Sequence, residues 1–386
     1  MKALEKILDK IRPNFQKGGK YQYLHSTFDA FDTFLFVPGH VTKKGSHIRD
    51  GIDLKRTMFM VVLAVMPAMF FGMWNVGNLH FINAGETATF METFFYGLLK
   101  VLPLIIVSYV AGLGVEFIFA QMRGHDVNEG FLVSGILIPL IVPVSTPLWM
   151  VAVATIFAVI IGKEVFGGTG MNIVNPALLA RAFLFFAYPS NMSGDKVWIS
   201  EQIDVTTGAT PLGDLLTISD KAQLEALPSV MESFIGTIPG SVGETSTLAI
   251  LLGGLFLLFT GIASWRVMFS VFAGGYLMGL IFNMVGGDNV YMALPAHMHL
   301  LIGGFAFGAV FMATDPVTAA QTNTGKYIYG LIIGIMAVLI RVVNPAYPEG
   351  MMLAILLMNI FAPTIDYYVV QANIKRRMKR LVKVVA

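Results

Sequence analysis

The sequence predicts an all-α integral membrane protein of about ten transmembrane helices, arranged as two inverted five-helix repeats. Three observations carry this. Of the 386 residues, 55% are hydrophobic and 13% charged, whereas a soluble globular protein has about a quarter charged. Apolar runs recur along the chain, and runs of about 18 residues or more read as membrane helices. The pentapeptide Ile173-Val174-Asn175-Pro176-Ala177 returns as Val342-Val343-Asn344-Pro345-Ala346. Halves of five spans, an odd number, must be inverted relative to one another.

The elements follow in order. Residues 1–56 form a basic segment, with eleven Lys/Arg against six Asp/Glu. Its start, MKALEKILDKIRPNFQKGGK, lacks a signal peptide's apolar core and reads as a short amphipathic helix. The first repeat, 57–188, holds spans at 57–75, 94–120, 131–144 and 149–161, and a fifth ending near Tyr188. Pro139 and Pro143 make the third span broken or half-length. Residues 189–245 are a long polar loop. The second repeat, 246–366, holds spans at 246–263, 267–285, 299–314, 327–343 and 350–366. Residues 367–386 are a basic tail with Lys375, Arg376, Arg377, Lys379, Arg380 and Lys383.

Charge bias sets the orientation. Seventeen of the 26 Lys/Arg lie in the two terminal segments, so both termini are expected in the cytoplasm, which requires an even number of spans. The 189–245 loop, with Lys196 and Lys221 against eight acids, is then external. Arg341 is the exception, a basic residue near the outer side.

Composition also excludes chemistry. With no cysteine, disulfides, thiolate catalysis and cysteine-ligated iron–sulfur clusters are ruled out within the chain. Seven histidines show no metal-binding spacing, so no metal site is expected. The run Gly167-Gly168-Thr169-Gly170 lacks the Lys-Ser/Thr ending of a phosphate loop. The basic termini fit anionic lipid and topology rather than nucleic acid.

The polar loop contains Asp204-Val205-Thr206-Thr207-Gly208-Ala209-Thr210-Pro211-Leu212. Gly208 and Ala209 let a bulky group approach the backbone before the Thr210 hydroxyl. A threonine hydroxyl is a weak nucleophile without an activating base, so loading a group there calls for a separate transferase; a plain surface turn is the alternative. Arg181, in an apolar run, is too costly to face lipid and suits a phosphate or an acid. Glu116, Asp315 and Asp366 are ionisable groups in or at the ends of apolar helices, where such groups face an interior or hydrated path. Carboxylates with Thr314 or Thr364 nearby suit a hard cation such as sodium, although Asp315-Pro316 also fits a helix start. Gly112 and Gly114 leave a groove on the second span for a flat headgroup or a packing helix.

Several long stretches carry a resemblance: VTKKGSHIRDGIDLKR at 41–56, HDVNEGF at 125–131, KEVFGGTGMNIVNPALLARAFLFFAYP at 163–189, DVTTGATPL, IGTIPGSVGETSTLA at 235–249, GGFAFGAVFMATDPV at 303–317 and RVVNPAYPEGMMLAIL at 341–356. Along essentially its whole length the chain resembles the B-subunit family of sodium-translocating NADH:quinone oxidoreductases, to which the D subunit of the Rnf ferredoxin-oxidising complex is related. The resemblance implies FMN held through its phosphate on Thr210, with Asp204, Thr207, Gly208 and Ala209 as its motif and Arg181 as a candidate phosphate partner. Thr207 stands where the family often has Ser. It further implies non-covalent riboflavin in the complex, a quinone pocket near Gly112, and a sodium path using Asp29, Glu116, Asp315 and Asp366. Where the family pattern has paired glycines, this chain has Gly112-Leu113. No residue is assigned as catalytic. Implied partners are the other subunits of the complex, a flavin transferase, quinone and membrane lipid, in a bacterial cytoplasmic (inner) membrane. The alternatives are an Rnf-type D subunit and a non-redox inverted-repeat channel.

Overall fold

The computed structural model describes residues 2–16, 18–36, 42, 44–48, 51–124, 127, 131–194, 197–200, 208–218, 224, 227–287, 289–344 and 350–385. Among them every regular element is helical. Two helices, α1 (Lys2–Ile11) and α2 (His25–Leu35), precede the bundle. The ring of Phe31 on α2 meets that of Phe117 at 6.0 Å. Lys55 Nζ donates to the Ala30 carbonyl at 3.1 Å and Arg56 to that of Thr33 at 3.0 Å, which ties α2 to the next helix.

That helix, α3 (Leu54–Ala84), starts at Asp53, whose carboxylate accepts from the Arg56 N–H at 2.9 Å. It runs on past Asn75, the predicted end of the first span. Asn75 is only 2% exposed and donates to the Ile238 carbonyl at 3.0 Å, so a residue that reads as loop is an inter-segment tie. α4 (Phe90–Arg123) opens with a capping box of Thr89 and Glu92 and closes at Gly124, a pairing that satisfies orphan N–H groups at the helix start. Then come α5 (Leu132–Leu140), α6 (Leu148–Gly162), α7 (Pro176–Ala187) and the short α8 (Pro189–Met192), α9 (Pro211–Thr217) and α10 (Val230–Ile235). After these lie α11 (Thr247–Phe259), α12 (Trp265–Val285), α13 (Val290–Ala293), α14 (Met298–Leu301) and α15 (Phe305–Phe307), the last continuing into a π turn at Gly308–Met312. α16 (Asn323–Val343) and α17 (Gly350–Val385) complete the chain. Six helices among the described residues are long and apolar enough to cross a membrane: α3, α4, α6 with the turn after it, α12, α16 and α17. α7 and α11 are apolar but shorter.

Two apolar segments do not form continuous helices. α5 is nine residues long and contains Pro139. The stretch predicted as a span at 299–314 breaks at Ile302–Gly304, where Gly303 takes a left-handed φ of 67°. A break in an apolar bundle leaves carbonyls that must find donors. At the end of α5, the Gly243 N–H donates to the Leu140 carbonyl at 2.8 Å and the Ser241 hydroxyl to that of Ile141 at 3.3 Å. At the end of α14, the Arg341 guanidinium donates to the His299 carbonyl at 2.8 Å and the Ile302 carbonyl at 3.3 Å. Around these breaks Phe131, Leu137, Ile138, Leu140, Phe305 and Phe307 form the buried core.

Small residues set the helix spacing. A Cβ on Gly97 of α4 would collide with the Met73 carbonyl of α3, and one on Gly334 of α16 with the Val271 carbonyl of α12. Close backbone approach through small residues is how membrane helices gain van der Waals contact.

α17 extends well past residue 366, where the last span was expected to end. Its residues Lys375, Arg376, Arg377, Lys379 and Arg380 are exposed along this extension.

Candidate functional site

Thr210 sits at the N-cap of α9, where its hydroxyl oxygen accepts from the Gly213 N–H at 3.1 Å. Pro211 occupies the first helical position, where its missing N–H is no loss and its fixed φ suits the helix. Thr210 and Ala209 are half-buried and Gly208 is buried, so Thr210 is flanked on its N-terminal side by small residues. Asp204 and Thr207 lie outside the described residues. Asp214, one turn later, is partly buried, and this burial raises its carboxyl above the usual carboxylate range.

α9 is not a detached loop. Leu212 and Leu215 are 1% and 2% exposed, and the Tyr291 hydroxyl donates to the Leu212 carbonyl at 2.8 Å. The Leu212 side chain rests on Gly303, where an added Cβ would lie 2.6 Å from Leu212 Cδ1 and 3.3 Å from Arg341 Nη2. The helix that bears Thr210 is therefore seated on the break between α14 and α15.

Beneath that break lies a buried ionic cluster. Arg181 Nη1 on α7 is 2.5 Å from Glu244 Oε1, with both residues less than a tenth exposed. Glu244 presses against Gly304, where an added Cβ would meet the carboxylate. A small cavity lined by Arg181, Glu244, Gly304, Gly308, Arg341 and Met351 joins α7, the broken segment, α16 and α17. Of the two partners foreseen for Arg181, the structure supplies an acid.

A larger cavity lies between the start of α3, the end of α11 and the segment after the π turn. Its polar lining is Ser134, Lys163, Asn172, Asn175, Thr314 and Asp315, against apolar walls that include Met58, Leu137 and Phe311. Lys163 Nζ is 2.5 Å from Glu116 Oε1, and both are buried. Arg123 holds Glu164 at 3.0 Å nearby. Asp315 accepts from the Val317 N–H at 3.1 Å and the Thr318 hydroxyl at 2.9 Å, the geometry of a turn cap. Asp366 accepts from the Gln321 and Thr322 N–H groups at 2.6 and 2.9 Å and from the Thr322 hydroxyl. It thereby anchors the start of α16 to α17. Asp29 lies half-buried on α2, and its carbonyl accepts from the Thr33 hydroxyl at 2.6 Å.

The acids foreseen along one path are thus distributed. Glu116, through Lys163, and Asp315 share the larger cavity, whereas Asp366 and Asp29 lie in other contacts. Among the described residues no group of three or more His, Asp or Glu could hold a metal ion.

The groove at Gly112 is filled. A Cβ there would strike the ring of Phe131, which is 1% exposed and has a positive φ of 52°. The reciprocal contact is Gly135 against Tyr109, whose hydroxyl donates to the Leu132 carbonyl at 2.7 Å. A Gly112→Ala substitution should cost about 1–3 kcal/mol through overpacking, read as a lower thermal unfolding midpoint in detergent. An unchanged midpoint would mean that Phe131 moves aside freely.

Sequence reasoning did not single out Glu244, Lys163, Phe131 or Tyr291. Glu244 had a usable signal, an acid placed between two apolar segments; the others pair only across the fold.

The family model described as "NQR2, RnfD, RnfE family" matches residues 41–375. The chain is 51% identical to a protein of Ectopseudomonas mendocina named as the B subunit of Na(+)-translocating NADH-quinone reductase, covering 98% of this chain and 99% of that one. It is 50% identical to the protein of the same name from Azotobacter vinelandii, over 98% and 99% of the two chains. The same name is carried by a Chromohalobacter salexigens protein, 49% identical over 98% of this chain and 97% of its own. The chain therefore belongs to the NQR2, RnfD, RnfE family.

Proposed function

We infer that this protein is the membrane subunit of a respiratory complex that passes electrons from NADH through flavins to quinone and exports sodium. One observation carries this: about half of all residues are identical to the B subunits of Na(+)-translocating NADH-quinone reductases along nearly the full length of both chains. The bundle of apolar helices fits that role. The test is sodium uptake by inside-out membrane vesicles given NADH. Vesicles lacking this subunit should lose both sodium-stimulated quinone reduction and sodium uptake, and regain them when it is supplied. Undiminished sodium uptake without it would overturn the reading.

Ten spans in two inverted repeats is the proposed topology. In order, α3, α4, α5, α6 and α7 correspond to α11, α12, the broken α14–α15 segment, α16 and α17. Support comes from the packing of α3 on α11 and of α7 on α17, as a pseudo-two-fold axis between the halves requires. An even number of spans puts both basic termini in the cytoplasm and Thr210 outside, in the cell inner membrane of a bacterium.

In this reading Thr210 is the attachment point of FMN through a phosphoester, loaded by a separate flavin transferase. The half-buried Thr210 at the start of α9 fits that use, since it follows the small residues Gly208 and Ala209. When bound, the flavin takes one or two electrons and so links one-electron carriers to a two-electron quinone. The chain's residues do the positioning: Thr210 fixes one end of the group, and α9 is held by Leu212 and Leu215. The larger cavity, with apolar walls and the side chains of Asn172 and Asn175 at its edge, is the proposed place of a non-covalent riboflavin ring. The region of Gly112 and Phe131 is the proposed quinone contact.

Sodium prefers hard oxygen ligands. Asp315 and Thr314 offer them in the cavity, with Glu116 behind Lys163. A cation reaching Glu116 must first displace the Lys163 ammonium, so Lys163 sets access to that carboxylate. Asp366 and Asp29 complete the proposed path on the cytoplasmic side. The other subunits, quinone and membrane lipid are the partners.

A further inference from the structure

The seat of α9 ties an external helix to a break inside the membrane bundle, a contact that attachment of a group at Thr210 does not itself require. The seat has three parts. Tyr291 lies on α13, whose N-cap Asn289 accepts from the Tyr291 N–H at 2.9 Å and also donates to the Val342 carbonyl at 2.8 Å. That fixes Tyr291 to the end of α16, next to Arg341. From there the Tyr291 hydroxyl reaches the Leu212 carbonyl at 2.8 Å. The second part is Gly303, whose left-handed φ of 67° and missing Cβ together make room for Leu212. The third is Arg341, which holds the His299 and Ile302 carbonyls where α14 ends and lines the same cavity as Glu244 and Arg181.

α9 has only seven residues, and Leu212 is two positions after Thr210. So short a helix moves as one piece, so displacing Thr210 displaces Leu212. Close-packed contacts of this kind have discrete arrangements rather than a continuous range. A group bound at Thr210 that favours one arrangement must bias the break, and the break must bias the group by the same free energy.

We propose that Leu212, Tyr291 and Gly303 are positioning residues that couple the state of the group carried on Thr210 to the broken segment 298–312, and through it to sodium movement. This rests on the reading of Thr210 as the flavin attachment site. Leu212 is the moving part, Gly303 the socket and Tyr291 the latch.

The test uses the complete complex carrying Tyr291→Phe or, separately, Gly303→Ala. Flavin fluorescence of this subunit on a denaturing gel first reports loading of Thr210. With loading intact, sodium taken up per NADH oxidised should fall several-fold in both variants, and the flavin midpoint potential should lose its dependence on sodium concentration. A third readout needs no turnover. The natural chain has no cysteine, so Leu212→Cys can be labelled from outside with an impermeant maleimide. Labelling should be slow in the otherwise unchanged chain and several-fold faster once Tyr291→Phe is added. An unchanged sodium-to-NADH ratio, an unchanged potential and equally slow labelling in the Tyr291→Phe background would overturn the coupling. If Gly303→Ala fails to assemble, Tyr291→Phe alone decides. Absence of fluorescence in the unsubstituted complex would instead defeat the attachment reading.

Discussion

Replacing Lys163 by Met is expected to destabilise the protein by about 3–5 kcal/mol, the range for removing one partner of a buried ion pair. Lys163 and Glu116 are 2% and 4% exposed and 2.5 Å apart. Without the ammonium, the buried Glu116 carboxylate loses its ion-pair partner, and burying a charge without that compensation is costly. The matching Glu116→Gln chain should suffer less, since the amide still accepts a hydrogen bond from Lys163. A double Lys163→Met, Glu116→Met chain should recover much of the loss, because a buried pair is often replaced by apolar residues with little net change. Thermal unfolding of the purified protein in detergent checks this. A single variant as stable as the parent would mean that water already solvates the pair. Sodium distinguishes a functional role from a merely structural one: if Lys163 sets access to Glu116, Glu116→Gln must weaken the apparent sodium affinity of quinone reduction.

Replacing Arg341 by Met should be as severe. Arg341 is 1% exposed and donates to two carbonyls at the end of α14. Its loss strands both, at about 1–3 kcal/mol for each unsatisfied buried group. It also removes a positive charge from the cavity shared with Glu244. Arg341→Lys should restore part of the stability, since an ammonium can reach one carbonyl but cannot span two as a guanidinium fork does. The expected result is a large drop in thermal stability for Arg341→Met and an intermediate one for Arg341→Lys. An Arg341→Met chain as stable as the parent would mean that the guanidinium is not what holds the break.

Much of the helical framework was legible because hydropathy and capping act locally. The apolar runs of α4, α7 and α16 begin just after Thr89, Asn175 and Thr322, whose side chains cap the helices. The break after α5 was visible in Pro139 and Pro143. The break at Gly303 was not, because 299–314 reads as one apolar run and only the fold supplies Leu212 and Arg341 to hold it open. Asn75 misled for the related reason that its partner, the Ile238 carbonyl, is 163 residues away. The continuation of α17 was hidden because a basic tail and a basic helix share a composition.

The candidate site divides in the same way. Thr210 was legible from its small flanking residues and the family motif, and Arg181 from the cost of its charge in an apolar run. Its partner Glu244 lies 63 residues off, and Lys163 is 47 from Glu116. No local pattern encodes such pairings. The likeness of Gly112 to an open groove failed to anticipate Phe131, because a positive φ at a phenylalanine is not a conformation that sequence suggests.

The most direct measurement of the central claim is ultraviolet-excited fluorescence of this subunit after denaturing electrophoresis, with and without Thr210→Val. A covalent flavin survives denaturation, and valine keeps the shape of threonine while removing the hydroxyl that would form the ester. The predicted result is a fluorescent band for the natural chain and a dark band of equal protein content for Thr210→Val. A fluorescent Thr210→Val band, or a dark natural one from cells that contain the transferase, would contradict it.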